Sequence, residues 1–102
     1  MALVLYGTQD VQFTFQNSSE TVQETSISLS PPSGTQQVLI YMQGFNCAYA
    51  NNEQYGFGEL GVSVQVDGGN LALCKAALRD NNMNKRIWGG QVSAMVMFFG
   101  PT

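Results

Sequence analysis

A period of two runs along most of this chain and limits it to one kind of fold. Val11, Phe13 and Phe15 alternate with Gln12, Thr14 and Gln16. Ile27 and Leu29 alternate with Ser26, Ser28 and Ser30, and Val62, Val64 and Val66 with Ser63, Gln65 and Asp67. Residues two apart share one face of an extended strand, so each stretch predicts a strand with one face in a core and the other in water. Pro31-Pro32-Ser33-Gly34 breaks the chain before "VLIYMQGF" (38–45), a denser apolar run that suits a central strand. "QVSAMVMFF" (91–99) is a closing strand of the same dense kind, placed centrally and stopped by Pro101. Asp67-Gly68-Gly69-Asn70 separates "VSVQV" (62–66) from "LALCKAAL" (71–78) and supplies the positive φ values that a hairpin turn needs. In the second arm Leu, Ala and Lys favour helix, with Asn70 as a ready N-cap. The preceding strand needs a partner, however, which favours a strand over the helix for residues 71–78. The expectation is one domain over residues 1–102, an antiparallel β-sandwich of six or seven strands with no internal repeat.

Charge is scarce and unevenly spread. Only 11% of the residues are charged, against about 25% in typical soluble domains. Ten Gln, eight Asn, eight Ser and six Thr take their place. Such a surface is poorly protected against self-association, and a homo-oligomer is expected, a trimer before a dimer. Residues 1–74 carry six acids and no base, whereas residues 75–102 carry Lys75, Arg79, Lys85 and Arg86 against Asp80. Four bases in an acidic chain are too few for a nucleic-acid surface. The basic cluster therefore reads either as internal neutralisation or as part of a ligand site. No stretch has the roughly 18 apolar residues of a membrane span. The opening "ALVLY" is too short, and lacks the basic flank, for a secretory leader, so an extracellular or a particle-associated role is open. Cys47 and Cys74 could pair, but they number too few for a disulfide scaffold and read rather as buried free thiols.

Several chemistries are excluded. Without histidine there is no Ser-His-Asp or Cys-His catalysis and no HExxH zinc site. No S-x-x-K, G-x-S-x-G or P-loop occurs, and the spacing of the seven carboxylates gives no support to a glycosidase pair. Neither an enzyme nor a cofactor is expected. "GFGELG" (56–61) matches G-x-G-x-x-G, yet the alternating "VSVQV" follows where a helix should begin. Gly56, Gly58 and Gly61 then read as a flexible loop with a bulge. Asp80, Asn82 and Asn84 fit the D-x-N-x-N start of a calcium loop, but Lys85 stands where glycine is needed and Gln91 where the bidentate Glu belongs. No metal is expected.

What is left is "LRDNNMNKRIWGG" (78–90), which gathers three of the four bases, an aspartate, three asparagines and the only tryptophan. A sugar needs a carboxylate, planar amides, a cation and an aromatic face. Arg79, Asp80, Asn81 and Asn82 supply the polar groups, and Trp88 or Tyr55 the face. In this reading Asp80 is the main acceptor for sugar hydroxyls, with Arg79 and Asn81 as donors. The plainer reading is that Asp80 and the asparagines stabilise a turn and that Trp88 covers the end of the core. "YANNEQYGFG" (49–58), with aromatics among amides, is a second candidate loop.

The order from "VLIYMQGF" through "YANNEQ", "VSVQV", the Gly-Asn turn, "LALCKAAL" and "RDNNMNK" to "VSAMVMFF" resembles the core of H-type lectins over residues 38–99. These are six-stranded β-sandwiches that assemble as trimers and bind N-acetylgalactosamine-like sugars. The resemblance implies that Arg79, Asp80 and Asn81 hold part of a sugar from the loop before the last strand. The family's strand arginine has no counterpart in Leu60–Val66, and its loop aromatic is missing unless Trp88 replaces it. A structural or decoration protein of a virion or other assembly is the alternative that the same low charge and amide richness fit.

Overall fold

The computed structural model describes residues 2–102. Six antiparallel strands form two three-stranded sheets: β1 (Leu3–Ser18), β2 (Val22–Ser28), β3 (Gln37–Tyr49), β4 (Phe57–Asp67), β5 (Leu71–Asp80) and β6 (Trp88–Pro101). One sheet has the order β1-β6-β3 and the other β2-β5-β4. The sandwich is long and narrow, 53 × 19 × 19 Å. No helix among the described residues is long and apolar enough to cross a membrane.

The alternation of the sequence becomes the two faces of each sheet. Val11 and Phe13 of β1 lie opposite Ala94 and Val92 of β6, and all four side chains are buried. On β5, Ala72, Cys74, Ala76 and Leu78 point into the same core, so this arm of the hairpin is a strand. The three small side chains of β5 leave room for Phe13, Phe98 and Trp88, as facing layers that interdigitate require. Burying each of Val92, Val96 and Phe98 contributes about 1.5–3 kcal/mol relative to exposure. β6 is the central strand of its sheet, as its dense apolar content implies. Gly68 (φ 65°) and Gly69 (φ 78°) make the turn between β4 and β5, where a side chain would be strained.

Two expectations fail here. "VLIYMQGF" lies in an edge strand, since β3 pairs with β6 alone. Strand density told how apolar both faces are, and not which neighbours are present within one chain. Gly58 and Gly61 lie inside β4 and not in a loop, although the bulge exists, between Phe57 and Glu59. The thiols are free, Cys74 buried and Cys47 half-buried. Burial, and then the neighbouring Cys47, push the Cys74 thiol up to about 11.

Three connections cross between the sheets at one end: residues 19–21, 50–56 and 81–87. The register puts them together, because Ser18 and Tyr49 both lie opposite Trp88 while Phe57 lies opposite Asp80. Both candidate polar loops therefore emerge at this end.

Candidate functional site

Asp80 organises the end of the sandwich. It is in phase with Leu78 and Ala76 on β5, so its carboxylate points inward, and the residue is only 1% exposed. A carboxylate in that position must be satisfied by donors. Oδ1 accepts the backbone N–H groups of Asn82 (2.9 Å) and Asn84 (2.8 Å), and Oδ2 accepts Nε of Arg86 (2.8 Å). The Asp80 carbonyl accepts the N–H of Met83 (2.9 Å), which lies in the left-handed region at φ 61°. The Arg86 guanidinium, with the N–H groups of Asn84 and Asn82, holds the Asp80 carboxyl below the usual carboxylate range against the effect of burial. Asp80 in turn raises Arg86.

From Arg86 the order passes to the other loop. Its guanidinium carbon lies 4.1 Å from the centre of the Tyr55 ring, a cation–π contact. Tyr55 donates its hydroxyl to Glu53 (2.6 Å), a bond that raises the Tyr55 pKa. The ring meets that of Tyr49 edge-on, with centroids 5.1 Å apart. The Tyr49 hydroxyl reaches the carbonyls of Gly56 (3.1 Å) and Arg79 (3.3 Å), sharing its one proton between them. At the base of the loops the Ala50 N–H donates to the Ile87 carbonyl (2.8 Å). Between the loops lies a cleft of about 240 Å³ lined by Ala50, Asn51, Glu53, Tyr55, Lys85, Arg86 and Ile87. Its amide, carboxylate and cationic groups include both donors and acceptors. The two cations, Lys85 and Arg86, are matched by Glu53 and the buried Asp80, so the local charge balances.

The residues singled out from the sequence are distributed otherwise than expected. Tyr55 lines the cleft. Asn81 and Asn82 are exposed on the turn, with the Asn81 side chain close to Gly56. Asp80 is withdrawn from solvent with both oxygens engaged, a geometry that suits an anchor of the turn and not a direct sugar acceptor. Arg79 is out of phase with Asp80, points to the outer face of its sheet and pairs with Glu59 (2.9 Å), away from the cleft. Trp88 is fully buried, packs on Phe15 with ring centroids 6.3 Å apart and donates its Nε1–H to the Glu20 carbonyl (2.8 Å). It offers no face to a ligand. The D-x-N-x-N spacing serves backbone donors, with Oδ1 of Asp80 turned toward N–H groups.

Beside Tyr55 the cleft is lined by Asn51 and Glu53 of the second candidate loop and by Lys85 and Arg86 of the basic cluster. Strand parity was the usable signal. Residues 72, 74, 76, 78 and 80 share one face of β5, and 88, 92, 94, 96 and 98 one face of β6. Extending either strand by a few residues places Asp80 and Trp88 inside. Two larger hollows lie elsewhere, one on the outer face of the β2-β5-β4 sheet around Lys75 and Glu24, the other beside the turn between β4 and β5. Neither contains an aromatic side chain. No known protein family, curated protein or solved structure matches the chain.

Proposed function

We propose that the protein is a non-enzymatic carbohydrate-binding module that works as a homo-oligomer, a trimer before a dimer, and takes a sugar in the cleft between loops 50–56 and 81–87. The observation that carries this reading is the convergence of two amide-rich loops on Tyr55, with donors and acceptors mixed and charge balanced. Sugar hydroxyls both donate and accept, so a neutral ring suits such a lining better than an anion or a cation does. The volume lies below the roughly 300–1,000 Å³ of pockets for drug-sized ligands, which favours one ring over an extended chain. The anchors Asp80, Arg86 and Tyr49 hold the lining in place before a ligand arrives, which lowers the ordering cost of binding. Six antiparallel strands in two sheets fit the resemblance to H-type lectins, which suggests an N-acetylgalactosamine-like sugar. With Trp88 buried and Arg79 turned away, the contacts fall instead to Tyr55, Asn51, Glu53 and Lys85.

A structural component of a larger particle is the second reading, favoured by the exposed apolar side chains far from the cleft, Leu3 and Leu39 among them. A glycan array separates the two. The carbohydrate-binding reading expects a restricted set of glycans to be labelled and the free sugar to compete. Absence of labelling, together with co-purification of the protein with particles, would leave only the structural reading.

A further inference from the structure

Arg86 is clamped on two sides and free at its tip. Its Nε donates to Oδ2 of the buried Asp80 at 2.8 Å, and its guanidinium carbon lies 4.1 Å from the centre of the Tyr55 ring. The ring is fixed in turn, edge-on to Tyr49 at 5.1 Å and tied through its hydroxyl to Glu53 at 2.6 Å. A guanidinium held in this way has given up, before any ligand arrives, the rotamer freedom that an arginine on a surface loop ordinarily keeps.

The clamp uses only the Nε donor. Nη1 and Nη2 carry the other N–H groups of the fork, and neither has a hydrogen-bond partner among the described residues. They are not enclosed either, since among the described residues Thr21 Oγ1 is the one buried side-chain polar atom without a partner. Arg86 lines the cleft between loops 50–56 and 81–87, so these unused donors stand at the edge of that space. One face of Tyr55 is closed by the guanidinium, and on that side the stack presents the fork and not the ring. The charges nearby decide what the fork can take. A carboxylate or phosphate is the usual partner of a free guanidinium. Here Asp80 already matches Arg86, and Glu53 lines the same cleft as Lys85. An anionic ligand would bring a third negative charge against two positive ones. Two neutral oxygens on adjacent carbons accept the paired donors without that repulsion, and sugar hydroxyls are such acceptors.

We infer that Arg86 contacts the ligand directly, with Nη1 and Nη2 donating to two adjacent hydroxyl oxygens of one ring, so that the cleft takes a neutral pyranose with a free vicinal diol. This inference rests on the sugar-binding reading of the cleft and adds to it the residue that selects the ring. A hydroxyl that accepts from Arg86 still has its own proton to place. Glu53 has one oxygen for it, because Oε2 accepts the Tyr55 hydroxyl and Oε1 has no partner among the described residues. Arg86 then differs from Asp80 and Tyr49, whose polar atoms are turned to the protein itself.

The test compares the wild type and Arg86→Lys in their affinities for the glycan that the array selects and for its monodeoxy analogues at each position of the bound ring. Lysine keeps a positive charge beside Asp80 but replaces the fork by a point charge. Arg86→Lys should bind the parent glycan roughly ten- to hundredfold more weakly, the loss of a charge-assisted hydrogen bond. The wild type should lose a similar factor with two analogues, those lacking one or the other of two adjacent hydroxyls. Arg86→Lys should bind these two no more weakly than it binds the parent. If Arg86 only holds the loop, the variant will show the same relative losses as the wild type, and the inference is overturned. Losses coupled to hydroxyls that are not adjacent would overturn it too, as would tighter binding of the uronic acid analogue. If Arg86→Lys does not fold, the side-chain nitrogen NMR signals of the two arginines decide in the wild type. On titration with the glycan the Nη signals of Arg86 should shift, and those of Arg79, paired with Glu59 on the outer face, should not. The opposite pattern, or no shift of either, would overturn the inference. An array without a labelled glycan removes the sugar-binding reading and this inference together, whereas a labelled array without coupling to Arg86 removes this inference alone.

Discussion

Asp80 at the end of β5 and Lys85 in the loop that follows stand five residues apart and are expected to answer different measurements. Asp80 holds two backbone N–H groups and Arg86 from a buried position, so no neutral side chain can replace all three bonds. Asp80→Asn should lower the melting temperature by about 10 °C or more, since it leaves buried donors unsatisfied. The pH dependence follows from the lowered Asp80 pKa. The unfolded chain takes up this proton near pH 4 and the folded chain only at lower pH, so the stabilisation is complete above about pH 4 and is lost as pH falls through the folded value. Melting curves recorded from pH 6 to pH 2 should therefore slope less steeply for Asp80→Asn than for the wild type. Lys85 is exposed and lies outside the three ion pairs found among the described residues. Lys85→Ala should leave melting unchanged and weaken sugar binding roughly ten- to hundredfold, the loss of one charge-assisted hydrogen bond. Equal affinities for the two proteins would remove Lys85 from the site. The sequence showed that this loop is chemically dense. Which carboxylate faces inward depends on where β5 ends, and that end runs two residues past the apolar pattern that announces the strand.

At the scale of elements, the start of β4 and the loop from β5 to β6 are fitted to each other. A Cβ at Gly58 would run into the carbonyl oxygen of Asp80 and come within 2.8 Å of the Met83 sulfur. That carbonyl also closes the turn by accepting the Met83 N–H. Gly58→Ala is expected to destabilise by about 1–3 kcal/mol, as overpacking in a fitted region does, and to loosen residues 81–86. Amide hydrogen exchange should speed up there and remain unchanged in the hairpin of β4 and β5. The glycines of "GFGELG" were conspicuous in the sequence, but the reason for Gly58 was not, because it lies in the Asp80 backbone more than twenty residues further along. The turn of the hairpin was legible, since two successive glycines after an alternating run specify its geometry, whereas the helix-favouring Leu, Ala and Lys of its second arm left that arm open between strand and helix. The crossing loops carry no such local signal. Their meeting at one end follows from the order of strands in two sheets, which alternation alone does not determine.

For the whole molecule, the fold class followed from periodicity, because an alternating strand must bury one face and a second sheet is the simplest cover. The position of β3 did not follow, since its apolar content describes a strand covered on both faces and a single chain covers only part of it. The resulting molecule has its polar crossing loops at one end and exposed apolar side chains along β3 and the adjoining sheet face. The central claim is that the cleft between residues 50–56 and 81–87 receives a sugar, and amide chemical-shift mapping tests it most directly. On titration with the glycan that the array selects, the amides of residues 50–56 and 81–87 should shift, with those of β5 and the turn at Gly68 and Gly69 unmoved. The indole signal of Trp88 should also stay in place, because that side chain is enclosed in the core. Shifts concentrated on the outer face around Lys75, or no saturable shift at all, would contradict the account.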